Sequence, residues 1–246
     1  MFRFALLVIA LISMISFNAL ANILPLNNQT TGEISNRLPV LFTPASYVFS
    51  IWSIIYVLLI AWVIGMWRKV KNDVYTKRSN LFIISSILNI SWIYLWHFEY
   101  FLLTIVVMIS FLVTLIFLYM TYRISDNHIL SRLPISIYLG WISVATISNI
   151  SYVLTAYQWN GFGLSQPLWA VIMMTIGTAL ALHIRFHYFD VAYVLVFIWA
   201  YIGIAIRNGF EELLVSTAAL FLSAVMLAGI LFIKKKTILL KPPDKL

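Results

Sequence analysis

The 246-residue chain is 63% hydrophobic and only 10% charged, whereas about a quarter of the residues in a soluble domain are charged. This composition excludes an ordinary soluble domain, and the absence of cysteine excludes disulfides, thiolate metal sites and a cysteine nucleophile. The net charge of +8 does not indicate nucleic-acid binding, because the basic residues lie in short loops and at the tail, where orientation in a membrane explains them.

Eight apolar segments follow one another along the chain, each with about the 20 residues that a helix needs to cross a bilayer. We therefore predict an all-α integral membrane protein with eight spans. The segments cover approximately residues 4–22, 45–67, 80–97, 101–122, 133–157, 167–184, 188–206 and 213–233.

The first of these segments has two interpretations. Its positive start, apolar run and Ala-Leu-Ala end also suit a signal peptide. The apolar run is longer than a usual signal core, so we favour a retained helix over a cleaved one. Cleavage would leave seven spans.

Basic residues alternate between the connections. They follow the second, fourth, sixth and eighth segments, whereas the opposite set of connections carries only Arg37 and Arg207. Because basic loops stay on the cytoplasmic side, we expect both termini in the cytoplasm. A bacterial plasma membrane is the expected location, with a mitochondrial membrane as the alternative. The basic residues are Arg68, Lys69, Lys71, Lys77, Arg78, Arg123, Arg132, Arg185 and the three lysines at 234–236.

Three segments carry aromatic or amide side chains at helical spacing, which places each set on one face of its helix. An asparagine in hydrocarbon needs a hydrogen-bond partner, so Asn89 and Asn149 are expected to point inward. Helix packing and interfacial tryptophans explain single residues of this kind. The whole set fits better a mostly apolar pocket with a few polar groups. The three sets are Phe49, Trp52 and Tyr56; Asn89, Trp92 and Trp96; and Tyr138, Trp141, Ala145, Asn149 and Tyr152.

These stretches carry a family resemblance. "FTPASYVFSIWSIIY", "LNISWIYLWHF" and "YLGWISVATISN" resemble, in order and separation, the signature stretches of the translocator proteins, also called tryptophan-rich sensory proteins. The resemblance covers about residues 4–157 and implies a five-helix bundle that binds tetrapyrroles and other flat hydrophobic ligands, with sterols bound by some members. It implies a covering loop with Phe42 and Pro44. The other ligand-binding positions that it implies are Phe49, Trp52, Tyr56, Asn89, Trp92, Trp141, Ala145 and Asn149.

The chain departs from the family pattern at three points. Phe42 replaces a loop tryptophan and Ala45 replaces a second proline, which puts the porphyrin photochemistry credited to some members in doubt. The basic residue of the family's sterol motif is missing after the fifth segment, so sterol recognition is unsupported. Three further segments follow, and we divide the chain into a translocator-like domain at 1–160, three additional helices at 161–236 and a basic tail at 237–246.

The favoured function is a membrane sensory or binding protein for a flat hydrophobic ligand, with porphyrin or haem as the expected ligand and no required cofactor. The alternatives are a secondary transporter and a tetrapyrrole-modifying enzyme, although no catalytic residue or metal ligand is assigned. Expected partners are the bilayer and the small-molecule ligand, and a homodimer stays open. His183 and His187 suggest a metal or haem site, but a solvated helix end with Arg185 and Asp190 is the favoured interpretation.

Overall fold

The computed structural model describes residues 2–67 and 73–234. Within these ranges the regular structure is entirely helical, and eight helices are long and apolar enough to cross a membrane. The predicted all-α membrane protein with eight spans is therefore confirmed. Arg68, Lys69, Lys71, two of the lysines at 234–236 and the tail at 237–246 lie outside the described residues. The helices are α1 (Phe2–Ile23), α2 (Thr31–Arg37), α3 (Ile51–Trp67), α4 (Asp73–His97), α5 (Phe101–Met120), α6 (Arg132–Ala156), α7 (Gln166–Tyr188), α8 (Val191–Asn208) and α9 (Leu213–Phe232).

The long helices run up and down between two ends of the bundle. We call the end that carries α2 the α2 end, and the opposite end, where α1 begins and α9 finishes, the termini end. An even number of spans brings both ends of the chain to one side. Short connections make consecutive long helices antiparallel neighbours, as between α4 and α5, α5 and α6, and α8 and α9.

Helix α6 is the centre of the bundle. It packs against α3, α5, α7 and α8, and 67% of its span is buried, whereas only 28% of the α1 span is. Side chains such as Ile54, Val57 and Ile64 of α3 are exposed and face the hydrocarbon expected around the bundle. The last three spanning helices, α7 to α9, therefore pack against the preceding spans, mainly through contacts with α6.

Helix α4 begins seven residues earlier than predicted, so that Lys77 and Arg78 belong to the helix instead of the loop. Arg78 is buried, and its Nε donates a hydrogen bond to Thr121 Oγ1 at 2.9 Å. Its guanidinium also lies 3.6 Å from the centre of the Tyr122 ring. These contacts with the end of α5 stabilise a buried charge inside the helix, whereas the charge alone favours a loop for this segment.

Helix α2 and the segment after it form the cover of the α2 end. Thr30 and Glu33 make a capping box, in which each side chain accepts from the other residue's backbone N–H. Helix α8 holds residues 38–50, which we call the 38–50 connection, through three hydrogen bonds. Ala45 N donates to Gly203 O at 3.1 Å, Trp199 Nε1 to Val48 O at 3.2 Å, and Asn208 Nδ2 to Leu41 O at 3.0 Å.

A buried polar group joins α5, α6 and α8 at the termini end. Asp190 is fully buried and accepts hydrogen bonds from Tyr119 Oη at 2.8 Å and Ser136 Oγ at 2.6 Å. Arg132 Nε lies 3.7 Å from the same carboxylate. The predicted solvated helix end is wrong for Asp190 and for Arg185, since both are buried, although His183 and His187 are exposed.

Candidate functional site

A cavity of about 390 Å³ lies inside the half of the bundle nearest α2. Its walls come from α1, α3, α4, α5 and α6, and we call it the central cavity. Thr31, Gly32 and Ser35 of α2, with Ser46 of the 38–50 connection, border its α2 end. Its volume falls within the range of about 300–1,000 Å³ that is typical of small-molecule sites.

Seven of the ten predicted ligand-binding residues line this cavity. Phe49, Trp52 and Tyr56 extend along one face of the chain from the end of the 38–50 connection into α3, as their spacing of three and four requires. The other four come from α4 and α6. They are Asn89, Trp92, Trp141 and Ala145.

The aromatic rings form a continuous wall. Trp141 of α6 meets Phe49 and Trp52 edge to face, with ring centroids 5.8 and 6.3 Å apart. Trp52 also stacks on Tyr56 at 5.5 Å. These offset and edge-on geometries are the favourable ones for aromatic pairs, so the rings hold one another in place in the cavity wall.

Helix α1 supplies polar wall residues that the sequence analysis missed. Asn18 is buried, lines the cavity, and its Nδ2 donates to Asn89 Oδ1 at 2.6 Å and to Met14 O at 2.9 Å. Asn22 lines the cavity one turn later. The rule that a membrane-buried asparagine needs a partner would have found Asn18, had the first segment not also suited a signal peptide.

Two hydrogen-bond donors in the cavity wall have no partner among the described residues. They are the Tyr56 hydroxyl and the Trp92 indole Nε1, and both atoms are buried. A buried donor left without an acceptor costs about 1–3 kcal/mol. Both groups are therefore positioned to donate to an acceptor on a bound molecule.

The remaining three predicted residues lie outside the central cavity. Phe42 is buried, with its ring edge-on to Tyr201 of α8 at 6.3 Å. Pro44 is buried where the 38–50 connection crosses Gly203. Asn149 points inward as predicted, but its Nδ2 donates to Thr104 Oγ1 of α5 at 3.0 Å.

Polar contacts cap helix α2 at its start and tie its last turn to other parts of the bundle. The backbone and hydroxyl of Thr30 donate to the Glu33 carboxylate, which lowers the pKa of Glu33. At the other end Arg37 Nη1 donates to Glu99 Oε1 at 2.8 Å, which raises the pKa of Arg37. In addition, Arg207 of α8 donates to Asn36. The Arg37–Glu99 ion pair is exposed and therefore individually weak.

The two histidines suggested as a metal site lie far from this cavity. His183 and His187 occupy the second half of α7, with ring centroids 4.4 Å apart. No group of three or more His, Cys, Asp or Glu side chains comes together in the described part of the chain.

The aromatic motifs resemble one family, and a match over most of the sequence supports the same family. A family model described as TSPO-like protein matches residues 4–232. The chain belongs to the TSPO-like protein family. Searches of curated proteins and of solved structures gave no significant match.

The family match extends well past the part of the chain that carries the three motifs. In this TSPO-like protein it begins inside α1 and ends at the last residue of α9. The three helices that follow α6 are therefore included in the family pattern, and so is α8, which holds the 38–50 connection. Family membership and eight apolar helices together identify an integral membrane protein.

Proposed function

We propose that this protein binds a flat hydrophobic ligand, a tetrapyrrole above all, in the central cavity and acts as a membrane sensory or binding protein. One observation carries the proposal: seven motif residues from separate stretches of the chain converge on one cavity. Membership of the TSPO-like family suggests the same kind of role.

The chemistry of the wall suits such a ligand. Trp52, Trp141 and Phe49 offer ring faces for stacking, while the Tyr56 hydroxyl and Trp92 Nε1 offer donors for carboxylate or other acceptor groups at the ligand's edge. The described residues lining the cavity carry no charge, which favours a ligand with a large apolar ring system over a small ion.

Ligand entry requires the cover to move. A tetrapyrrole is large for a cavity of about 390 Å³, and the ion pair that ties the last turn of α2 to Glu99 is exposed to solvent. Displacement of α2 is the sensory step in this proposal, because it converts occupancy inside the bundle into a change at the surface.

The test is a titration of the purified protein with protoporphyrin IX and with haem, followed by the absorbance of the ligand. Trp52→Ala removes the ring that contacts both Tyr56 and Trp141, and we expect affinity to fall about tenfold or more, since 1.4 kcal/mol corresponds to a factor of ten. Trp92→Phe removes the unpaired donor together with part of the ring but keeps an aromatic side chain, and we expect a loss of about three- to tenfold.

Trp67→Ala is the matched control. Trp67 is 49% exposed at the termini end of α3, outside the central cavity, so its loss should leave ligand affinity unchanged. Equal affinities in wild type, Trp52→Ala and Trp92→Phe would refute the proposed site. Sealed vesicles that accumulate the ligand against a gradient would instead identify a transporter.

A further inference from the structure

A second cavity, of about 520 Å³, opens beside the central one at the α2 end. It lies between the last turns of α6, the loop 157–165, the start of α7 and the first part of the 38–50 connection. Because α7 forms one side, a five-helix bundle ending at α6 would not enclose it. We call it the second cavity.

Its wall is built around two tryptophans that the loop holds in fixed positions. The rings of Trp159 and Trp169 lie 5.0 Å apart, and Trp169 Nε1 donates to Gly161 O at 2.7 Å. Gly161 has a φ of +63°, and a Cβ there would lie 2.9 Å from Trp169 Nε1, so only glycine fits. Interfacial tryptophans are common in membrane proteins, but here the rings pack on each other and line a cavity.

The polar groups in this wall are neutral. Gln158, Gln166 and Thr155 line the cavity together with the two tryptophans, and no charged side chain appears among its described lining residues. Gln158 and Gln166 are exposed to solvent, and their amides make no hydrogen bond to another described residue, so each can exchange water for a ligand hydroxyl group. Deeper in, the wall becomes apolar, with Leu154 and Met173.

The combination selects a class of ligand. Aromatic faces bind the C–H face of a ring, free amides exchange hydrogen bonds with hydroxyl groups, and an uncharged wall disfavours ionic headgroups. The apolar floor accommodates a hydrocarbon chain. We propose that the second cavity binds a neutral amphiphile with a sugar headgroup, such as a glycolipid, with the sugar against Trp159 and Trp169 and the chain along Leu154 and Met173.

Photo-crosslinking tests this proposal on the full-length protein. The protein, reconstituted in phosphatidylcholine nanodiscs, is labelled with an alkyl glucoside that carries a diazirine in its chain, and labelled peptides are identified by mass spectrometry. We expect labels on residues 150–173, competed by octyl glucoside but not by octyl phosphocholine or free glucose. Competition by octyl phosphocholine would contradict the proposed selectivity for a sugar headgroup. Competition by free glucose would contradict the proposal that the ligand also needs a hydrocarbon chain.

The double variant Thr155→Val/Gln166→Ala removes two of the neutral polar groups without touching the tryptophans or the glycines. We expect labelling of residues 150–173 to fall at least fivefold. Thr217→Val is the matched control, because Thr217 Oγ1 bonds back to Leu213 O as Thr155 Oγ1 bonds back to Ser151 O, but on exposed α9. Unchanged labelling in the double variant, or labels spread over the exposed faces of all helices, would overturn the proposal.

Discussion

Asn18 of α1 and Asn89 of α4 are joined by a 2.6 Å hydrogen bond at the wall of the central cavity. The bond links the first helix to a motif residue 71 positions away in the chain. Both side chains are buried, so each amide depends on a nearby polar partner.

The first prediction concerns this pair. Asn18→Leu or Asn89→Leu removes this bond between the two helices and one partner of the remaining amide, and each single variant should lose about 1–3 kcal/mol of unfolding free energy. The double variant should lose less than the sum, with a coupling of about 0.5–2 kcal/mol. Unfolding in mixed micelles by a denaturing detergent measures all four proteins, and strictly additive losses would contradict the prediction.

The second prediction concerns the buried pair at the termini end. Arg132→Met leaves the Asp190 carboxylate buried without its nearby cation, which costs about 3–5 kcal/mol. Arg132→Met/Asp190→Leu removes both charges and should recover part of that loss. As a comparison, Arg37→Gln breaks an ion pair whose side chains are each 40% exposed, and should cost less than about 1 kcal/mol. The same micelle unfolding assay ranks the three variants, and a cost of Arg132→Met no greater than that of Arg37→Gln would be inconsistent with it.

Much of the site follows from residue type and spacing, and its gaps have physical causes. Apolar length predicts the eight spans, and helical periodicity places Trp52, Trp92 and Trp141 on inward faces. The family resemblance gives Phe42 and Pro44 as part of a covering loop. It does not predict that α8 packs against this loop, because a local motif contains no information about a helix that lies much later in the chain.

Charge and capping signals explain the other misses. Asp190 and Arg185 stand near the ends of apolar segments, where solvent is the default partner, but tertiary contacts with Tyr119, Ser136 and the end of α9 bury them. The capping box of Thr30 and Glu33 was present in the sequence as Thr-x-x-Glu. The apolar segments at 4–22 and 45–67 do not include residues 31–37, so hydropathy alone does not predict α2.

The third prediction is a pH effect on α2. The pKa of Glu33 is lowered by its hydrogen bonds from Thr30, so its contribution to α2 is complete above the pKa of the unfolded state. That contribution is lost as the pH falls through the lower, folded-state pKa. Amide hydrogen exchange of residues 31–37 should therefore become less protected below about pH 4.5.

Glu33→Gln provides the control for this effect. Glutamine keeps a capping acceptor but does not titrate, so the variant corrects for the intrinsic pH dependence of exchange. If wild type and Glu33→Gln lose protection in parallel, Glu33 is not the group responsible.

The fourth prediction concerns the contact between α8 and the 38–50 connection. A Cβ at Gly203 would collide with Val48 Cγ2 and lie 3.2 Å from Pro44 Cβ. Gly203→Ala must therefore push the connection away, and overpacking of this kind costs about 1–3 kcal/mol. Because the same connection carries Ser46 and Phe49 to the central cavity, protoporphyrin affinity should fall although Gly203 does not line it.

The measurement is the absorbance titration used for the tryptophan variants. Ala224→Val serves as the control, since it enlarges an exposed position on α9 and should leave affinity unchanged. An unaltered dissociation constant in Gly203→Ala would mean that α8 does not position the wall of the central cavity.

The 38–50 connection borders both cavities, with Leu41 and Phe42 at one and Ser46 and Phe49 at the other. A single short stretch of backbone therefore contributes to the lining of two cavities. If a ligand in either cavity displaces this stretch, thermodynamic reciprocity requires each ligand to alter the affinity of the other by the same factor. The lipid composition of the membrane would then change the ligand concentration at which the central cavity fills. The ligand in the central cavity would in turn change the affinity of the second cavity for its amphiphile.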